Sequence, residues 1–378
     1  MQRAPATPGQ SFAEIDTPAL VIDLDAYERN LDHMAAFARR AGVRVRPHAK
    51  THKSPEIGHA QIARGAVGLC CQKVSEAEVL VAGGISDVLV SNEVAGAQKL
   101  KRLAELARSA RISVCCDDRD NVAELQAAAA QAGSTLHVLV EIDVGGRRCG
   151  IAPGLAAAHL AKAIADSPNL AFDGLQAYHG SAQHLRSVEE RKSAIAVAVA
   201  AVQETLAELA KLGLSARTIG GAGTGTFEIE SASGLYNELQ PGSYVFMDAD
   251  YARNKSADGT PFDTFEHALF VLSTVMSAPV QERRVLDAGH KSLPIDSGMP
   301  TPWQLPGAVY HRPSDEHGVL DVSACANPPS RGDKVLLVPA HCDPTVNLHD
   351  WYVGVRGLGT PAARVETVFP VAARGAVF

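Results

Sequence analysis

A lysine at the end of a strand, beside other cationic side chains, can form an imine with a carbonyl compound, and the segment Val43-Arg-Val-Arg-Pro-His-Ala-Lys50 offers one. Alternation along an extended chain puts Val43, Val45, Pro47 and Ala49 on one face and Arg44, Arg46, His48 and Lys50 on the other. Arg46 and His48 are expected to crowd the Lys50 ammonium and so favour the free amine that an imine needs. Lys53 and, more distantly, Lys73 are the fallback lysines. Further along, Gly220-Gly-Ala-Gly-Thr-Gly-Thr226 and Gln240-Pro-Gly-Ser-Tyr244 can cradle an anion such as a phosphate, through glycine N–H groups and the hydroxyls of Thr224 and Thr226. Polar groups also crowd Glu141-Ile-Asp143, the following Gly145-Gly-Arg-Arg-Cys-Gly150, and Gln176-Ala-Tyr-His-Gly180 with Gln183-His184. Near the C-terminus, His341-Cys-Asp343 follows an apolar run. If that stretch is extended, His341 and Asp343 reach one ion while Cys342 points away. A nitrogen plus a carboxylate suits Mn²⁺ or Mg²⁺ better than Zn²⁺; the competing readings are Cys342 as a zinc thiolate and a plain polar turn before Pro344.

These groups need a scaffold, and the scaffold is written as a repeat. Short β-rich runs at 43–46, 67–71, 87–91, 112–116, 137–142, 174–178, 217–220 and 238–239 alternate with helical stretches. Eight such units are those of a closed (β/α)8 TIM-type barrel, whose active site lies at the C-terminal ends of the strands and whose phosphate site is frequently built by the loops after strands 7 and 8. Ser54 before Pro55, and Ser75 with Glu78, read as helix N-caps; Gly42, Gly65, Gly84, Gly133 and Gly213 read as C-terminal stops. The Ala-rich stretch 186–212 reads as one long barrel helix. After about residue 265 the alternation gives way to β runs at 269–276, 284–287, 318–322 and 335–338. The expected division is therefore a barrel at 25–265 and a smaller, mostly β domain at 266–378, with 1–24, including a lone strand at 19–23, able to join either.

Composition narrows the partners. With 42 Asp and Glu against 35 Lys and Arg, a net charge of -7 argues against a nucleic-acid or anionic-membrane surface. The start lacks an apolar leader, and the longest apolar run, 194–202, falls far short of the roughly 20 residues of a spanning helix. A cytoplasmic protein acting on a small molecule is the expectation. The seven cysteines, with adjacent pairs at 70–71 and 115–116 and no CxxC, read as buried reduced thiols.

At Arg46-Pro-His-Ala-Lys50 the chain resembles the D-threonine aldolase and D-serine dehydratase family, pyridoxal-phosphate enzymes of fold type III related in architecture to alanine racemase. The likeness extends through Asp16-Thr-Pro-Ala-Leu20, Cys71-Gln-Lys-Val-Ser-Glu76, Ser91-Asn-Glu93, Gly174-Leu-Gln-Ala-Tyr-His-Gly180, Gly220-Gly-Ala-Gly-Thr-Gly225, Leu239-Gln-Pro-Gly-Ser-Tyr244 and Asp315-Glu-His-Gly318. The resemblance implies that Lys50 carries pyridoxal 5'-phosphate. It places Arg148 near the phenolic oxygen, Tyr178 near the pyridine nitrogen with Gln176 beside it, and Gly223, Thr224, Gly225 and Tyr244 at the phosphate. His184 is then the acid–base group, His341 and Asp343 the metal ligands, and His317 faces the same cavity. A His-x-Asp pair resembles the divalent-metal aldolases and a His-x-Cys pair the zinc dehydratases. The resemblance therefore implies metal-assisted cleavage of a D-3-hydroxy-α-amino acid, D-threonine or D-3-hydroxyaspartate, by a homodimeric lyase. The alternatives are dehydration of D-serine or D-3-hydroxyaspartate to a keto acid and ammonia, and a non-catalytic pyridoxal-phosphate carrier. His290, Lys291 and Arg312 are candidates to meet an extra substrate carboxylate.

Overall fold

The computed structural model describes residues 3–378. Eight short strands form one parallel sheet: β2 (Arg44–Val45), β3 (Leu69–Cys71), β4 (Asp87–Glu93), β5 (Arg111–Cys116), β6 (Leu136–Glu141), β7 (Leu170–Gln176), β8 (Thr218–Gly221) and β9 (Glu238–Leu239). Each expected barrel strand has its counterpart, and the sheet curls until its ends meet. Beyond β2, Cys70 N–H donates to Pro47 O (2.9 Å) and Ala49 N–H to Cys70 O (2.7 Å), which joins the two ends. Strand alternation explains the cysteine pairs. Cys70 and Cys115 pack with Leu89 and Leu139 in a small cluster of their own, while Cys71 and Cys116 belong to the main core.

The helices begin and end where backbone groups find partners. Asp23 caps α1 (Leu24–Ala41) by accepting from the N–H of Asp25 and Ala26, and Gly42 ends it in the left-handed conformation at φ 68°. Ser54 caps α2 (Pro55–Ile62) as expected. The expected Ser75/Glu78 cap is displaced by two residues. Helix α3 (Val74–Ala82) starts after Lys73, and Glu76 accepts from the Lys73 N–H at 3.1 Å. Ser75 instead holds the chain end, its N–H donating to Phe378 O at 3.0 Å. The long Ala-rich helix, Val188–Lys211, is apolar and long enough to cross a membrane by length and composition, but it packs between other barrel helices.

The second sheet is built mostly from the C-terminal part of the chain. A strand at Ala19–Asp23 (β1) lies inside it, antiparallel to β10 (Leu269–Val280) and parallel to a strand at Trp351–Arg356. The lone N-terminal strand thus joins the second sheet, not the barrel. The strand Trp351–Arg356 is itself paired with another at Arg364–Pro370, and neither of these two was expected from sequence. The strand Lys334–Val338 pairs with β10 and leads directly to His341.

Candidate active site

Lys50 sits in a turn just past the end of the first barrel strand, and one cavity of about 290 Å³ is lined by Lys50, Glu141, Asp143, Arg148, Tyr178, Ser181 and His184 among others. Its position at the C-terminal ends of β6 and β7 is that of barrel active sites. The guanidinium of Arg148 lies 5.7 Å from the Tyr178 ring centroid, over its face. From the second domain, Asp343 approaches Lys50, its Oδ2 3.3 Å from Nζ.

The expected crowding of Lys50 is not found. Arg46 lies four residues earlier, before the turn that holds Lys50. It is spent at the other mouth of the barrel, with Glu238 at 2.9 Å and Asp87 at 2.7 Å. His48 is buried and its pKa is pushed well down, so it adds no charge at neutral pH. Asp343 is the largest influence on Lys50 and raises its pKa. Lys53, the fallback, is locked to Glu76 at 2.6 Å and is buried.

Asp343 and His341 meet as a pair, His341 Nε2 lying 3.8 Å from Asp343 Oδ2. They do so without the extended geometry expected: His341 caps a short helix, Cys342–Val346, and Asp343 lies in its first turn. Cys342 does point away, its Sγ donating to Met247 O at 3.3 Å. The Nδ1 of His341 is held 2.8 Å from Asp248, which leaves Nε2 to face Asp343. Burial opposes a charge on His341, but the Asp248 hydrogen bond and the charge of Asp343 outweigh it and bring its pKa to about 9. Burial likewise opposes ionisation of Asp343, yet Lys50 and His341 hold it near 2. Asp343 Oδ1 is buried with no hydrogen-bond partner among the described residues. A free carboxylate oxygen beside an imidazole whose far nitrogen is fixed by a carboxylate is a donor set that fits a divalent ion.

The glycine loop after β8 is closed tightly on itself. A Cβ on Gly223 would lie 2.5 Å from Gln183 Oε1, and one on Gly225 would lie 2.6 Å from Gln183 O. Between two glycines, Ala222 is held at φ 66°, a strain of about 1–3 kcal/mol of the kind found at ligand clamps. Gly225 N–H donates to Gln183 Oε1, and Gln183 Nε2 donates to Thr226 Oγ1, which in turn donates to Glu230 Oε1. The N–H groups of Gly223 and Thr224 stay outside this internal bonding, as an anion cradle requires.

Glu230, behind the loop, is buried, and burial pushes its pKa up to about 8. It keeps its proton at neutral pH, so no negative charge stands behind the anion cradle. A raised carboxyl pKa means that the folded state holds a proton the unfolded chain releases, so stability falls as pH rises from about 4.5 to 8. Glu230→Gln is therefore expected to be more stable than the parent by an amount that grows from pH 5.5 to pH 8.5, reaching on the order of a few kcal/mol. Urea unfolding at the two pH values reads this, and a gap independent of pH would refute it.

Residues 22–250 match the family described as alanine racemase, N-terminal domain, and residues 268–355 match the one described as putative serine dehydratase domain. The chain is 48% identical over 375 residues to the 3-hydroxy-D-aspartate aldolase of Paracoccus denitrificans (strain Pd 1222), covering 98% of this chain and 95% of that protein. It is also 48% identical to the D-threonine aldolase of Arthrobacter sp, with 98% and 96% covered. The chain belongs to the D-threonine aldolase and D-serine dehydratase family. The crystal structure of D-threonine aldolase from Filomicrobium marinum superposes with a TM-score of 0.96 at 54% identity over the whole of both chains. Members of this fold-type III family use pyridoxal phosphate, and the fold here is the alanine racemase-like one: a parallel eight-stranded barrel with a mostly β second domain.

With the family in place, the candidate residues sort themselves. Lys50, Arg148, Tyr178 and His184 line one cavity, and Asp343 reaches it at Lys50. The loop 223–225 lies one residue away, through Gln183. The other candidates stand outside the cavity lining. Gln176 does not line the cavity; its amide is bonded both ways to Gln240, at 2.8 and 3.0 Å, inside the barrel. The Tyr244 side chain is buried on the other side of its loop and accepts from Gln61 Nε2 at 3.1 Å, while its N–H donates to Thr224 Oγ1. His317 is exposed on a turn, and neither it nor His290, Lys291 or Arg312 lines the cavity; Lys291 is paired with exposed Glu316. Two carboxylates that sequence reading missed, Asp248 and Asp250, each hold a site histidine. Nothing in their spacing marked them, because their partners lie far away in sequence. On the cavity wall, Glu141 approaches Glu93 and Cys149, with ligand atoms within 4.8 Å. Burial and the charge of Glu93 push Glu141 up to about 8, so this group holds a proton rather than a concentrated charge.

Proposed function

We propose that this lyase cleaves a D-3-hydroxy-α-amino acid, D-threonine or D-3-hydroxyaspartate, to glycine and an aldehyde, with pyridoxal phosphate on Lys50 and a divalent ion, Mn²⁺ or Mg²⁺, on His341 and Asp343. The observation that carries it is the meeting of the two domains at Lys50 and Asp343, 3.3 Å apart. The same contact sets a carbonyl-binding amine beside an ion-binding pair. The aldolase names of the relatives support the reaction class.

Bound pyridoxal phosphate supplies an electron sink for the pair released when Cα–Cβ breaks, and an ion at His341 and Asp343 would lower the pKa of the substrate hydroxyl. The rest of the chemistry belongs to the chain. Lys50 Nζ forms and releases the covalent link to the cofactor. Arg148 and Tyr178, stacked on one another, form one wall that would orient the cofactor's ring. The N–H groups of Gly223 and Thr224 would hold its phosphate from the loop main chain. His184 Nδ1 lies 2.5 Å from Asp250 Oδ2, so Nε2 is the nitrogen left to take the hydroxyl proton. With His290, Lys291 and Arg312 outside the cavity, none of the three cations expected to meet a second substrate carboxylate does so, and D-threonine is expected to be cleaved at least as well as the diacid.

A homodimer and a cytoplasmic location complete the proposal; the seven cysteines, all free, suit a reducing compartment. The test is product analysis on purified protein with pyridoxal phosphate and Mn²⁺, offered D-threonine, D-3-hydroxyaspartate and D-serine in turn. Glycine with aldehyde is expected. Keto acid with ammonia would make it a dehydratase, and a bound cofactor without turnover would make it a carrier.

A further inference from the structure

Asp248 and Asp250 stand two residues apart on the segment 247–250, where the barrel hands over to the second domain. Asp248 is fully buried. Its Oδ2 lies 2.8 Å from His341 Nδ1 and accepts the Cys342 N–H at 3.2 Å, while Oδ1 accepts the Tyr251 N–H at 3.0 Å. Asp250 Oδ2 lies 2.5 Å from His184 Nδ1, and its Oδ1 accepts from Arg186 at 2.6 Å and from Arg253.

The backbone between them is fastened to the stretch that delivers His341. Ala249 N–H donates to Pro339 O at 3.1 Å and Asp250 N–H to Ala340 O at 3.0 Å. On the barrel side, Met247 is held at φ 53°, and its N–H donates to Ser243 O at 2.6 Å. A non-glycine residue keeps that conformation only where its surroundings fix it. From the structure we infer that the segment 247–250 registers the acid–base histidine against the metal pair, Asp248 positioning His341 and Asp250 positioning His184. The inference rests on the metal and acid–base roles proposed above.

The physical logic is the same at both histidines. A carboxylate that accepts Nδ1–H selects the tautomer with its lone pair on Nε2 and fixes the plane of the ring. At His341 that lone pair, freed when an ion displaces the Nε2 proton, faces the ion site; at His184 it faces the substrate hydroxyl. Because the two carboxylates share one short, tied segment, the distance between base and ion is set by three residues of backbone rather than by the docking of two domains. Neither aspartate lines the cavity, so both are positioning residues.

The test uses the holoenzyme, with Mn²⁺ affinity measured by chelator competition, cofactor retention by visible absorbance, and kcat and KM by aldehyde release. Asp248→Ala is expected to weaken Mn²⁺ by about 10–100-fold with the cofactor spectrum unchanged. Asp248→Asn, whose amide oxygen can still accept Nδ1–H, is expected to lose less, and it decides the matter alone if the alanine variant fails to fold. Asp250→Asn is expected to keep Mn²⁺ affinity within about twofold and KM near that of the parent, while kcat falls about 10²-fold. Unchanged Mn²⁺ affinity in both Asp248 variants would overturn the inference, as would loss of metal in step with activity in Asp250→Asn. If the parent protein binds no Mn²⁺, or binds it equally after His341→Ala, the metal reading itself falls and takes this inference with it.

Discussion

Replacing Lys50 by alanine is expected to lower turnover by on the order of 10³-fold or more. Cofactor is nevertheless expected to stay in the site, because the contacts proposed for its phosphate come from the loop at 223–225 and those for its ring from Arg148 and Tyr178. Lys50→Arg makes the sharper variant. It keeps a cation beside Asp343, which lies 3.3 Å from the lysine nitrogen, but a guanidinium cannot exchange its bond to the cofactor with the substrate amine. Arginine should therefore fare no better than alanine, which separates the covalent role from the electrostatic one. Borohydride reduction of the resting enzyme, followed by peptide mapping, should place the label on the peptide carrying Lys50. Label on Lys53 would sink the assignment, and the structure gives a reason to expect none: that amine is buried and held 2.6 Å from Glu76.

Much of this was readable in advance because it is local. The eight barrel strands announce themselves by short β-rich runs and by glycine stops, and Gly42 and Gly133 do sit in the left-handed conformation at φ 68° and 62°. Position alone singles out Lys50, at the end of a strand whose other face is apolar. Crowding by Arg46 does not follow from that position, since strand alternation reports which face a residue is on and not how near Arg46 and Lys50 come to one another. Residues that failed to appear depend on partners far away in the chain. His341 meets Asp248 from 93 residues on, and His184 meets Asp250 from 66 residues back. The N-terminal strand could not be assigned to a sheet because its neighbours, β10 and the strand at 351–356, are about 250 and 330 residues downstream. Tyr244 and Gln176 stand in the motifs that carry the resemblance, and what sequence does not show is that Gln61 and Gln240 bond their side chains.

Removing the ion should be as damaging as removing the lysine. Exhaustive chelation of the purified enzyme is expected to lower aldehyde release by about 10³-fold, since polarising a reacting oxygen contributes several kcal/mol to a barrel site of this kind. Added Mn²⁺ should restore it. His341→Ala is the cleanest mutational equivalent, because Asp343 also touches Lys50 and its loss would change two things at once. The variant should still bind the cofactor and still be inactive at ordinary Mn²⁺ concentrations, with part of the rate returning as the ion is raised. Asp343→Cys extends the argument to selectivity. A thiolate is a softer ligand than a carboxylate, so this change should move preference from Mn²⁺ toward Zn²⁺. Cys342 cannot supply that thiolate in the parent protein: it is buried, its thiol pKa is pushed well above normal by burial, and its sulfur is turned toward Met247. Glycine production that survives chelation intact would show that the pair at 341 and 343 is not an ion site, and His184 with Lys50 would then have to carry the cleavage unaided.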